Sequence, residues 1–204
     1  MDKLFYERNL ISEGYKLVAG VDEVGRGPLA GPVVSASVIM PLKEQDLISG
    51  IDDSKKLSEK KRKVLAELIK EKAIAYSIAL VSPEEIDEIN ILNAVKLSMQ
   101  KAVNELRVNP DAVLVDGVNT NLDLNAGKTE YLIKGDSKSY TIGCASIIAK
   151  VYRDALMEEY AKTYPKYLFE KNKGYGTADH IKAIKENGPC KLHRKTFIKN
   201  FWAD

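Results

Sequence analysis

Apolar residues recur along the chain in blocks whose spacing switches between the two-residue period of strands and the longer period of helices. From Lys16 the run KLVAGVDE leads into a Gly-rich turn, and GPVVSASVIM follows as a second strand with Val33, Ser35, Ser37 and Ile39 on one face, so the pair predicts a hairpin. Ser58 caps a helix with Val64, Leu65, Leu68 and Ile69 on one stripe, and a third strand lies in AIAYSIALV. Ser82-Pro83-Glu84-Glu85 combines a capping box with Pro at the first helical position, which starts a helix there. A longer helix follows, with Val95, Met99, Ala102, Val103 and Leu106 at helical spacing up to Asn109-Pro110. Ala112–Val115 is a continuous apolar run of the kind buried on both faces, and a fifth strand passes through Tyr131, Leu132 and Ile133. Beyond it Ile148, Val151, Tyr152, Ala155 and Leu156 share a helix face, while Gly143, Ala145, Ser146 and Ala149 permit close approach to a neighbour. A helix over 178–186, a loop around Gly188-Pro189 and a basic tail complete the chain. The order of elements predicts one α/β domain over residues 1–204, with a core at about 16–160 and a helical C-terminal extension at about 161–204.

The length is enough to bury a core without staples. Cys144 and Cys190 stand far apart and in no ligand spacing, and they read as free thiols of a reducing compartment. The N-terminal stretch is charged from its second residue, and no apolar run approaches a membrane span, which predicts a cytoplasmic protein with no membrane partner. Without heptads, a monomer is expected. The net charge of +2, from 31 basic and 29 acidic residues, is too balanced to announce a nucleic-acid binder. Local basic clusters exist at Lys55–Lys56 and Lys60–Lys63, at Lys134 and Lys138, at Lys171 and Lys173, and at Lys191, Arg194, Lys195 and Lys199. Each, taken singly, reads as a solvated face.

Three acidic sites occupy one kind of position. Asp22-Glu23 ends the first strand, Asp116 ends the fourth and Asp136 follows the fifth. Any one of them alone is an ordinary turn or cap residue. Together, at strand ends of one sheet, they would repel one another unless cations sat between them, and an all-oxygen donor set points to Mg²⁺ or Mn²⁺ rather than zinc. Adjacent strand residues point to opposite faces, so Asp22 is the direct ligand and Glu23 requires a twist of the chain as it enters the turn.

The turn itself, with Gly25, Gly27 and Gly31, has the wrong spacing for a dinucleotide fingerprint. It contains Pro28 and Pro32 and precedes a strand rather than a helix, so the Rossmann reading is rejected and a cofactor-binding oxidoreductase is the weakest of the competing classes. Two glycines flanking Arg26 suit a close approach of backbone amides to a substrate, and equally a tight connection between strands. At this point AGVDEVGRGPLAGPVV closely resembles the N-terminal signature of the ribonuclease HII family. The blocks DDSKKLSEKKR, EIDEINILNA, VLVDG, KGDSKS, ASIIAKVYRD, KGYGT and HRKTF follow in that family's order. Asn172, where family members commonly carry His, and Gly143-Cys144 depart from the pattern and imply packing differences without loss of chemistry.

The resemblance implies an RNase H-like α/β fold, a mixed five-stranded sheet flanked by helices, with two divalent cations, Mn²⁺ or Mg²⁺, held by Asp22, Glu23, Asp116 and Asp136. It also implies recognition of a ribose 2′-OH by backbone groups of Gly25, Arg26 and Gly27, and packing of Tyr175 against the next nucleotide at an RNA-to-DNA junction. The implied substrates are RNA–DNA hybrids and duplex DNA with embedded ribonucleotides, cut on the 5′ side to leave a 5′-phosphate and a 3′-hydroxyl. Lys55, Lys56, Ser137, Lys138, Lys150 and Arg153 are candidate phosphate contacts; for Lys150 and Arg153 ordinary helix-surface charge is an equal alternative. His180 and His193 read as structural or surface residues, and Phe197, Phe201 and Trp202 as a packing edge.

Overall fold

The computed structural model describes residues 2–52, 54–117 and 122–202. A helix α1 (Phe5–Ser12) precedes the hairpin of β1 (Val18–Val24) and β2 (Val33–Ile39). Then come α2 (Glu59–Lys72), β3 (Ala75–Val81), α3 (Pro83–Asn104), β4 (Ala112–Asp116) and β5 (Lys128–Leu132). The remainder is helical: α4 (Gly135–Lys138), α5 (Tyr140–Thr163), α6 (Phe169–Asn172), α7 (Ala178–Asn187) and α8 (Lys195–Ile198). The five strands form one mixed sheet in the order β3-β2-β1-β4-β5, with the β1–β2 and β2–β3 pairs antiparallel and the β1–β4 and β4–β5 pairs parallel. The architecture is that expected of an RNase H-like fold.

Alternation along the strands assigns each side chain to a layer. Ala19 and Val21 of β1, with Val113 and Val115 of β4, pack under α3 with Met99 and Val103. Val18, Ala112 and Leu114 meet Ile142 of α5 on the other face, where α2 adds Leu65, Ala66 and Ile69. Contrary to the alternating reading of β2, all seven of its residues are buried, because helices cover both faces of this strand. Ser35 survives in that setting by pairing with Ser98 Oγ at 2.7 Å.

The capping box at Ser82 is present, with Ser82 Oγ accepting from Glu85 N and Glu85 returning the bond to Ser82 N. The two helices expected there are one element bent at Asn90 (φ 65°, ψ 164°), whose Oδ1 accepts from Leu92 N and Asn93 N and so caps the second segment. The fifth strand stops at Leu132, one residue short of Ile133, which is 61% exposed.

The long helix α5 differs most from its sequence reading. Tyr152 and Ala155, placed on its packed face, are exposed, whereas Arg153, Asp154 and Met157 are buried. Beyond Ala149 the apolar stripe is interrupted at Arg153 and Asp154, where the helix meets the backbone of the β1–β2 connection, and resumes at Met157 and Ala161. The first turn of α5 is locked from α1. The fully buried Glu7 Oε1 accepts from Ser139 Oγ, Thr141 N and Thr141 Oγ1 at 2.6–3.0 Å, placing a carboxylate at a helix N-terminus.

Candidate active site

The strand ends expected to converge do so. In register, Val21 pairs with Val115, and one residue further Asp22 and Asp116 project to the α5 side of the sheet. Glu23 projects to the α3 side, where it lines a cleft of about 450 Å³ with Arg26, Asn90, Asn93, Lys96 and Gly117. Even so, one carboxylate oxygen from each of Asp22, Glu23 and Asp116 lies within 4.8 Å of the others. The pairing of β1 with β2 holds its register through Val24, one residue beyond Glu23, while β4 ends at Asp116, which lines the same cleft. The open flank beyond that end lets the longer glutamate arm reach round.

Asp136, in the first turn of α4, is not one of these three but lies close enough for its charge to raise the Asp22 pKa. Gly135 N donates to Asp116 Oδ1 at 2.6 Å, so the backbone of α4 is tied to the end of β4. The electrostatics are those of a crowded acid cluster. Burial, then the charges of Glu23 and Asp116, hold the Asp22 carboxyl well above the usual range, and the Ser146 hydroxyl draws it partly back. Burial lifts Glu23 to about 7 against the opposing pull of Arg26, whose Nη1 stands 3.3 Å from Glu23 Oε1. Oxygen donors gathered in this way, with Arg26 3.3 Å from Glu23, fit hard divalent cations.

Beside the cluster lies the glycine turn, Gly25 at φ 99°, and across from it Tyr175, 43% exposed. A Cβ placed on Gly27 would meet the Tyr175 ring at 3.9 Å, so turn and ring are neighbours. The Tyr175 loop is fastened to the turn's continuation, with Leu29 N and Ala30 N both donating to Gly174 O. Asn172 is buried within it, its Nδ2 donating to Tyr167 O and its Oδ1 accepting from Gly174 N.

The other candidates divide. Lys55 is exposed beside Ser54, whose hydroxyl meets Ser146 Oγ at 3.0 Å, close to Asp22. Lys56 is exposed and 3.9 Å from Asp52. Ser137 and Lys138 are partly buried on α4, and Ser137 Oγ donates to Lys134 O. Lys150 pairs with Asp154 at 2.7 Å. Arg153, by contrast, is fully buried and donates to Pro32 O, Lys173 O and Ala30 O, which removes it from the phosphate contacts. Arg194, taken with a solvated basic tail, is fully buried too. In the sequence Ser146 reads only as a small residue that permits close helix packing. No local pattern marks these three, since their partners lie in distant segments.

His180 and His193 are internal. Cys190 N donates to His193 Nδ1 at 2.9 Å, which leaves the proton on Nε2 to bridge 3.1 Å to His180 Nε2. His180 Nδ1 then donates to Tyr175 O at 2.8 Å. This neutral order is assigned from the bonding pattern. Burial and the proximity of His180 push His193 down to about 4, and burial lowers His180 as well. The unfolded histidines titrate near 6.5, so the unfolded state binds more protons below that pH, and stability present above 6.5 is lost as pH falls towards 4. The raised Glu23 acts in the opposite sense over the same window. The difference between wild type and His193→Gln in urea unfolding should therefore shrink on acidification, by about 2 kcal/mol between pH 7.5 and 4.5. A pH-independent difference would refute the buried neutral pair.

Comparison with known proteins points the same way. The sequence profile of Ribonuclease HII matches residues 19–204. The ribonuclease HII of Caldicellulosiruptor saccharolyticus is 54% identical over 194 residues, covering 95% of this chain and 93% of that protein. That of Bacillus subtilis is 53% identical over 192 residues, covering 94% and 73%. The crystal structure of the ribonuclease H2 from Pyrococcus horikoshii OT3 shares 28% identity and superposes with a TM-score of 0.78 over 91% of this chain and 97% of that one. With the profile spanning nearly the whole chain, the protein belongs to the ribonuclease HII family, metal-dependent endonucleases that cut the RNA strand of RNA–DNA hybrids.

Proposed function

We propose that this enzyme, besides cutting the RNA of RNA–DNA hybrids, incises duplex DNA on the 5′ side of single embedded ribonucleotides and leaves 5′-phosphate and 3′-hydroxyl ends. The observation that carries the reading is the shared surface of the carboxylate cluster, the Gly25-Arg26-Gly27 turn and Tyr175. A nuclease with no need to read a ribose would need only the first of these.

Asp22, Glu23, Asp116 and Asp136 would hold two divalent cations, Mg²⁺ or Mn²⁺. Those ions supply activation of the attacking water and neutralisation of charge on the leaving oxygen. The chain's own work is positional. Ser146 holds the Asp22 carboxyl from the α5 side, and Gly135 N fixes Asp116 Oδ1. The ion pair between Glu23 and Arg26 joins the acidic cluster to the turn. Among the described residues the amides of Arg26 and Gly27 donate to no protein acceptor, so they are available to a 2′-oxygen, an acceptor that deoxyribose lacks. Tyr175 offers an exposed ring face to the adjoining nucleotide. Lys55, Ser137 and Lys138 flank the cluster as phosphate contacts, which position a duplex without reading its sequence. No helix among the described residues is long and apolar enough to cross a membrane, and we place the enzyme in the cytoplasm as a monomer.

The test is cleavage of an end-labelled DNA duplex with one internal ribonucleotide, beside an all-DNA control, in Mg²⁺, Mn²⁺ and EDTA. A metal-dependent cut 5′ of the ribonucleotide and an intact control are expected. Equal cutting of the control would indicate a general nuclease or resolvase, and tight binding without cutting would indicate a silent binding domain.

A further inference from the structure

Two fully buried arginines lie beneath the glycine turn, and neither is within 4.0 Å of a carboxylate among the described residues. Their donors go instead to backbone carbonyls. Arg194 Nη2 donates to Gly25 O at 2.6 Å and to Gly31 O at 2.8 Å, Nη1 to Arg26 O at 2.9 Å, and Nε to Gly31 O at 3.0 Å. Arg153 donates to Pro32 O, Ala30 O and Lys173 O, tying the far end of the same connection to the loop before Tyr175. Burying two neighbouring cations is costly, and burial with the charge of Arg153 brings the Arg194 pKa down to about 9. Neutral donors would clasp a loop at lower cost, unless the planar five-donor fork is what the loop requires.

We propose that Arg194, backed by Arg153, is a positioning residue for ribose recognition. The inference rests on the reading of the glycine turn given above. In a trans peptide the C=O and the following N–H point in opposite directions, and the structure contains no cis peptide among the described residues. Drawing the carbonyls of Gly25 and Arg26 inward onto one guanidinium therefore turns the amides of Arg26 and Gly27 outward together. A cation on each carbonyl also polarises its peptide unit and strengthens the outward donor. A lysine has three donors but all on one tetrahedral nitrogen, which cannot reproduce the planar spread of Nε, Nη1 and Nη2 over both peptide planes and Gly31.

The experiment measures the Kd of a duplex with one ribonucleotide and of the all-DNA duplex, in Ca²⁺, for wild type, Arg194→Lys and Arg153→Lys. Arg194→Lys should lower the preference for the ribonucleotide duplex about tenfold, as expected for one misaligned polar contact, while all-DNA affinity stays within about twofold. Arg153→Lys should give a smaller fall. A purely structural role would leave that ratio unchanged in whatever fraction folds, and an unchanged ratio overturns the proposal. Hydrogen exchange at the wild-type Arg26 and Gly27 amides provides a check that needs no variant: fast exchange is expected, and strong protection without substrate would overturn the outward orientation. If wild type shows no preference for the ribonucleotide duplex, the ribose reading fails; the orientation of the turn is then judged by the exchange rates alone.

Discussion

Asp116→Asn is expected to reduce metal-dependent cleavage by three orders of magnitude or more, about 4 kcal/mol of transition-state stabilisation, while leaving the fold intact. The substitution is close to a pure change of charge. An asparagine Oδ1 can still accept from Gly135 N, so the tie between β4 and α4 persists. What disappears is one anion whose charge helps to hold the pKa values of Asp22 and Glu23 up. The melting temperature in EDTA should therefore be unchanged or higher, because mutual repulsion is relieved, whereas the stabilisation conferred by Mn²⁺ should fall. Cleavage within tenfold of wild type at saturating Mn²⁺ would remove Asp116 from the site.

The second large effect is on stability. Gly20 lies in the middle of β1, and a Cβ there would overlap the backbone of Thr141 and Ile142 in the first turn of α5. That turn has no freedom to retreat, since Thr141 N is held by Glu7 and Ile142 N by Ser139 Oγ. Gly20→Ala should therefore cost about 4 kcal/mol, above the usual range for overpacking because the obstacle is fixed backbone rather than a side chain. The denaturant midpoint measures this, and a loss below about 1 kcal/mol would show that α5 can shift. Any folded remainder should also cleave poorly, because α5 carries Ser146 against Asp22.

Much of the architecture is written in local pattern. The Ser82 capping box, the apolar run of β4 and the helix beginning at Ala178 are short-range signals, and each survives in place. The positions of the four acids at or after strand ends are equally legible, and with the ordered motif blocks they point to the family. Their chemical meaning depended on that resemblance as much as on spacing, since each acid alone resembles a turn residue.

The amino-acid sequence by itself thus determined the five strands and the helices α2, α5 and α7, the family and the acidic strand ends, because helix and strand periodicity, capping and motif order are properties of neighbouring residues. Only the tertiary structure decided which charges are buried and what they hold. Arg153 reads as a helix-surface cation until the β1–β2 connection, 121 residues away in sequence, closes over it with Pro32 O. Arg194 meets Gly25 across 169 residues, and Glu7 meets Thr141 across 134. His180 and His193 acquire their neutral order only because two segments deliver their ring nitrogens to 3.1 Å. Glu23 meets Asp22 and Asp116 because β4 ends where β1 continues, a fact about two strands that neither contains. In each case the deciding partner is remote along the chain, so desolvation and hydrogen-bond satisfaction, rather than periodicity, assign the residue its role.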